Sequence, residues 1–207
     1  MTYLIIILLI IGLLVFIFNY LELIKENFES SKKIILLGDS ILNNKNYVYE
    51  KESVEYILKN KYSYEIYNFA LDGEVLKGMK QNINKISKTN LSDVLVISIG
   101  GNDILHGANI NKLFDDYKKV IKDLHLKFPK NKIYVLDVYY PPCCRFKKYY
   151  DKITIWNNKL NNLNNINNVK IINISTKITN KTDFVFEIEP SYEGSIKIAK
   201  TLNDLII

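Results

Sequence analysis

Residues 34–40 read Ile-Ile-Leu-Leu-Gly-Asp-Ser, and residues 93–103 read Asp-Val-Leu-Val-Ile-Ser-Ile-Gly-Gly-Asn-Asp. Each opens on a short apolar run and closes on glycine and polar side chains. A run that is apolar on successive residues reads as a strand buried on both faces, the usual state of a parallel strand. Between the two, Tyr64–Phe69 alternates like another strand and leads into Asn68-Phe-Ala-Leu-Asp-Gly73. Polar motifs at the ends of three successive strands converge on one edge of a parallel sheet, where open α/β folds build their sites. A serine, a glycine and an asparagine placed there can supply a nucleophile and two oxyanion donors.

The rest of the chain alternates in the same way. Val48, Val54, Ile57 and Leu58 give Tyr47–Lys59 helical spacing, and Leu76, Met79, Ile83 and Ile86 do the same for Val75–Ser87. Asn111–Phe128 carries the clearest amphipathic stripe, and Pro129 stops it. Strands are expected at Lys132–Val138 and Val169–Ile174, with a long Asn-rich helix over Tyr150–Ile166 between them. Ser191 is placed to cap a last helix over Tyr192–Leu205. Strand–helix alternation implies parallel pairing through right-handed crossovers. The expected fold is a flavodoxin-like three-layer α/β/α domain over 33–207, with a five-stranded parallel sheet in the order 2-1-3-4-5. There is no repeat and no second domain.

The first 21 residues differ in kind. No charged side chain occurs from Met1 to Leu21, and Ile, Leu, Val and Phe dominate. A bilayer span takes about 20 apolar residues. A cleaved leader would show a basic start, a shorter apolar run and a small-residue cleavage site, and these are missing. The expectation is a single-pass transmembrane anchor over 1–21, followed by a polar connector over 22–32. Lys25, Lys32 and Lys33 after the span place the domain on the cytoplasmic or virion-interior side by the positive-inside tendency.

Composition excludes more than it selects. The formal charge of +6 is spread over lysines that alternate with Glu and Asp, and Arg145 is the only arginine. That pattern is a solvated surface and not a nucleic-acid patch, for which arginine is the preferred residue. The adjacent Cys143-Cys144 have no disulfide framework and no zinc spacing, so they read as reduced thiols. No glycine-rich phosphate loop follows the first strand, which argues against a nucleotide binder. No metal or other cofactor is implied.

Gly38-Asp39-Ser40-Ile41, then Gly73, then Gly101-Asn102-Asp103, each after a strand, resemble the SGNH hydrolase superfamily, also called GDSL esterases and lipases. The resemblance covers the chain from about Lys33 to the C-terminus. It implies an ester hydrolase acting on a small-molecule, lipid or glycan ester. Ser40 would be the nucleophile. The amides of Ser40 and Gly73 and the side chain of Asn102 would form the oxyanion hole. Asp39 would brace the turn.

The closing block departs from the family pattern Asp-x-x-His-Pro. Glu189 stands at the His position, set by Pro190 and Gly194, and Phe186 stands at the Asp position. A carboxylate can accept a serine proton, but its reference pKa of about 4.3 is low for a general base. Burial beside Phe184, Phe186 and Ile188 would raise it, and strand-like alternation would put Glu187 on the same face to raise it further. The competing reading makes Glu189 an anion favoured at the start of the last helix. His106 is the other candidate base and reads as a rim histidine, while His125 reads as structural. Two functions stay open: an ester hydrolase using Ser40 and Glu189, and a catalytically silent module that binds a glycan or acyl group.

Overall fold

The computed structural model describes residues 11–20, 32–84, 86 and 94–206. The chain divides into two units, Met1–Ser31 and Lys32–Ile207.

In the first unit, helix α1 covers 11–20, and its apolar side chains are exposed, with Phe16 stacked on Tyr20. Ten residues of α-helix rise about 15 Å, half of a bilayer's hydrocarbon core. Among the described residues no helix is long and apolar enough to cross a membrane. This overturns the expected single-pass anchor over 1–21 and the membrane placement built on it. The remainder of that expected span, and nearly all of the connector over 22–32, lie outside the described residues.

The second unit is the expected three-layer domain. Strands β1 (Lys33–Gly38), β2 (Glu65–Asn68), β3 (Val94–Ser98), β4 (Lys132–Leu136) and β5 (Val169–Ile172) form one parallel sheet in the order β2-β1-β3-β4-β5. Register runs Ile34↔Val94 to Gly38↔Ser98 across the central pair, so the Gly38 end of β1 lies beside the end of β3. Alternate strand residues face opposite layers. Ile35, Leu37, Leu95, Ile97, Ile133 and Val135 pack under helices α3 (Leu76–Ile83), α5 (Ile110–Lys127) and α6 (Tyr150–Asn161). Ile34, Leu36, Val94, Val96, Tyr134 and Leu136 pack under α2 (Val54–Lys61) and α7 (Tyr192–Ile206).

Several boundaries move for identifiable reasons. The helix expected over Tyr47–Lys59 begins only at Val54, because the Ser53 hydroxyl accepts from Tyr56 N–H and caps it there. The Asn-rich helix loosens into a 3₁₀ turn at Asn162–Asn165. Two elements carry no sequence periodicity to announce them: the five-residue α4 (Gly101–Leu105), and an antiparallel hairpin of β6 (Phe184–Val185) and β7 (Glu189–Pro190). Both carry candidate site residues.

Candidate active site

Ser40 arrives at the sheet edge on a close crossing of β1 and β3. Gly38 has φ +121°, and a Cβ there would stand 1.7 Å from the Ser98 carbonyl oxygen, so only glycine fits. Asp39 N–H donates to that carbonyl at 2.9 Å. The Asp39 carboxylate is buried and accepts from Ile41 N–H at 3.1 Å and Ser98 Oγ at 2.9 Å. It braces the turn, as expected. Ser40 itself sits in a turn; the next α-helix is α2. Burial pushes the Asp39 carboxyl up from 3.8 to about 7 against the two hydrogen bonds, which lower it, and the Glu189 charge adds to the rise.

The loop after β2 is fastened from two sides. Leu71 N–H donates to the Gly38 carbonyl at 2.8 Å, and Glu74 N–H closes a turn on the Leu71 carbonyl at 3.2 Å. Gly73 lies in this turn with φ +68°. From α4, Asn102 Nδ2 donates to the Glu74 carbonyl at 3.0 Å, and Asp103 Oδ2 accepts from Leu76 N–H at 3.0 Å. Two adjacent side chains of α4 therefore grip the segment that follows Gly73.

Ser40, Asn102 and Glu189 line one narrow cleft, open in part to solvent. Its walls are apolar: Ile41, Ile104, Leu105, Val138, Ile153 and Ile188. Gly73 is exposed on its turn and is not part of that lining. Ser40 and Glu189 share this cleft, and the Ser40 hydroxyl acts on the Glu189 carboxylate in the direction that lowers its pKa. Burial raises the Glu189 pKa against that effect, and the Asp72 charge raises it further. Glu189 Oε2 is buried and, among the described residues, without a hydrogen-bond partner.

The closing hairpin corrects one expectation. Phe186 and Glu187 both have positive φ, 48° and 70°, and form the turn between β6 and β7. Strand alternation is therefore broken between Glu187 and Glu189. The Glu187 carboxylate pairs with Arg145 at 2.6 Å, and Asp72 takes the role of like-charge neighbour instead. His106 is exposed at the end of α4, off the cleft lining. His125 lies within α5.

Other residues hold the site and left no sequence signal. Asn157 accepts from Val138 N–H at 2.9 Å and donates to its carbonyl at 2.7 Å, which fixes one cleft wall. Asn44 donates to the Pro190 carbonyl and to Ser195 Oγ while accepting from Val54 N–H, which ties β7 to α7 and α2. Tyr139 Oη donates to the Ile188 carbonyl at 2.7 Å. In a chain this rich in Asn and Tyr, single residues of either type do not stand out.

Comparison with known proteins agrees with this architecture. A protein of the lipolytic G-D-S-L family from Veillonella parvula superposes with a TM-score of 0.71 at 19% identity, covering 84% of this chain and 98% of that one. The psychrotrophic esterase EstA from Pseudoalteromonas sp., in a monoethylphosphonate-inhibited structure, gives 0.68 at 18% identity over 85% and 97%. The acetyl xylan esterase AlAXEase gives 0.70 at 16% identity over 84% and 100%. At such identities the likeness is one of fold. No curated protein matches the sequence. Residues 36–191, about three quarters of the chain, match the GDSL-like lipase/acylhydrolase family, and the chain belongs to that family of serine ester hydrolases.

Proposed function

We propose that the protein hydrolyses an O-acyl ester with a short acyl group, using Ser40 as nucleophile and Glu189 as general base. The observation that carries this reading is that Ser40 and Glu189, together with Asn102, line one apolar-walled cleft. Glu189 takes the Ser40 Oγ proton as Oγ bonds to the ester carbonyl carbon. The oxyanion meets the N–H groups of Ser40 and Gly73 and the second Nδ2–H of Asn102, the first being held by Glu74. Collapse of the tetrahedral intermediate releases the alcohol, which receives the proton from Glu189. Water then attacks the acyl-serine, with Glu189 again taking and returning the proton. Each oxyanion donor is worth about 3–4 kcal/mol when preorganised. A narrow cleft walled by aliphatic side chains suits a small acyl chain.

Glu189→Gln tests this. The variant keeps the shape and loses the proton acceptor, so hydrolysis of p-nitrophenyl acetate should fall by about 10²–10⁴-fold. His106→Ala should be unchanged. Wild-type activity should persist at mildly acidic pH and decline only as Glu189 protonates. Full activity in Glu189→Gln overturns the assignment. Phe186, in the place of the orienting acid, favours the silent-module reading. Absence of fluorophosphonate labelling at Ser40 would select that reading.

A further inference from the structure

Packing and backbone explain two glycines near the site and leave a third unexplained. A Cβ at Gly38 would stand 1.7 Å from the Ser98 carbonyl oxygen, and one at Gly100 would stand 2.7 Å from the Trp156 ring. Both residues also have positive φ. Gly101 differs on each count. It is the first residue of α4, and its φ lies outside the left-handed range. Among the described residues, the nearest atoms that a Cβ there would meet beyond its own helix are Val138 Cγ1 at 3.8 Å and Asp39 Oδ2 at 3.9 Å. These are ordinary van der Waals distances, and a helix prefers alanine to glycine. The fold therefore has room for a side chain at 101. Gly101, Val138 and Asp39 all line the cleft that holds Ser40, so that side chain would stand on the cleft wall. Gly101, Ile104 and Leu105 are spaced at i, i+3 and i+4 and share one face of α4. Ile104 and Leu105 bring aliphatic side chains to the cleft, and Gly101 brings none.

We propose that Gly101 is a specificity-determining residue: its missing side chain leaves the space, beside Asn102, that the acyl chain of the ester occupies. The proposal rests on the hydrolase reading, in which Ser40 attacks the ester carbonyl. With the carbonyl oxygen held by Asn102, the acyl carbons start next to the residue that precedes Asn102 in the chain. Val138 and Ile104 give that part of the wall an aliphatic surface, which suits alkyl carbons and not a hydroxylated alcohol. A methyl group at 101 would take up part of this space without disturbing the fold. In a narrow apolar pocket one carbon decides between substrates, because a methylene that does not fit has nowhere to go. A glycine that served only the backbone would tolerate no side chain, as at Gly38 and Gly100, and would leave substrate choice alone.

Gly101→Ala and Gly101→Val in the full chain test this, with kcat/KM measured for p-nitrophenyl acetate, propionate and butyrate. The ratio of butyrate to acetate should fall by about 10-fold in Gly101→Ala, the low end of what one methylene decides in an apolar pocket. It should fall further in Gly101→Val, where acetate turnover drops as well. The ratio of 1-naphthyl acetate to p-nitrophenyl acetate, which varies the alcohol at constant acyl group, should stay as in the wild type. Thermal unfolding of Gly101→Ala should show a Tm equal to the wild type or higher. An acyl ratio unchanged in both variants overturns the proposal. So does a uniform loss over the three acyl esters, which would place the effect on Asn102, and so does a change confined to the alcohol pair. A clearly lowered Tm in Gly101→Ala would show that the fold needs this glycine, and would overturn the premise. Failure of the wild type to hydrolyse any of these esters, with no fluorophosphonate labelling at Ser40, would instead refute the hydrolase reading and the acyl role of Gly101 with it.

Discussion

Asp39→Asn asks whether the turn that presents Ser40 is held by shape or by charge. The Asp39 carboxylate is 2% exposed and accepts two hydrogen bonds through Oδ1, from Ile41 N–H and Ser98 Oγ. Asparagine offers an oxygen of the same shape to both donors. Burial raises the wild-type carboxyl from 3.8 to about 7. The folded state therefore binds this proton more tightly than the unfolded chain does. The stability it contributes is full below about pH 4, is lost as pH rises through about 7, and is flat above. A shift of about 3 pH units at 1.36 kcal/mol each is about 4 kcal/mol at pH 8. The variant should match the wild type near pH 4 and exceed it by up to that amount at pH 8, a Tm difference of about 8–16 °C for a domain of this size. Asp137, raised to about 6 beside Ser175, also titrates in this range, but it is present in both proteins and cancels in the difference. Thermal unfolding of the two chains across pH 4–8 is the measurement. A difference that is constant with pH, or that falls as pH rises, would refute the reasoning.

Gly100→Ala should destabilise the domain by about 2–5 kcal/mol, from a disfavoured φ and from overpacking: φ is +113° and the new Cβ would stand 2.7 Å from the buried Trp156 ring. Thermal unfolding reads the loss, and an unchanged Tm would contradict it. Glu187→Asn should stabilise the domain by roughly 1 kcal/mol, because relieving a left-handed residue gains about 1–2 kcal/mol while an exposed ion pair is worth about 0–1. Here φ is 70° and both partners of the Arg145 pair are about half exposed or more. A lower midpoint in urea would show that the ion pair outweighs the strain.

The sheet was legible because its strands are buried on both faces, and uninterrupted runs such as Ile34–Leu37 and Val94–Ile97 have few other readings. The order followed from alternation and handedness, and the three loops that carry Ser40, Gly73 and Asn102 followed from the order. Glu189 was legible by position alone, from Pro190 and Gly194. What stayed hidden depends on contacts distant in sequence. Asn44 reaches Pro190 across 146 positions and Asn157 reaches Val138 across 19, and neither has a local signature. The hairpin escaped because its turn uses Phe and Glu at positive φ, where turn chemistry leads one to expect Gly or Asn. At the N-terminus the expected span rested on a count of apolar residues, and the described helix covers only 11–20.

The departures from local rules gather at one edge of the sheet. Ser63 and Asn168 are single left-handed residues just before β2 and β5, ordinary turn positions at the opposite edge. The consecutive pair Phe186-Glu187, the close approach of Gly38 to Ser98, the buried Asp39 and Glu189 Oε2, which has no hydrogen-bond partner among the described residues, all belong to the cleft side. Local strain and unsatisfied groups persist where the surrounding structure over-determines them, and such places are preferentially functional. The charge pattern points the same way. In a chain of formal charge +6, Asp39 and Glu189 line the cleft that holds Ser40. Acidic surroundings favour the protonated form of whichever base they enclose, imidazole or carboxylate. Exchanging histidine for glutamate lowers the starting pKa by about 2 units, or about 3 kcal/mol of basicity. Burial and the Asp72 charge both act on Glu189 in the direction that narrows this gap.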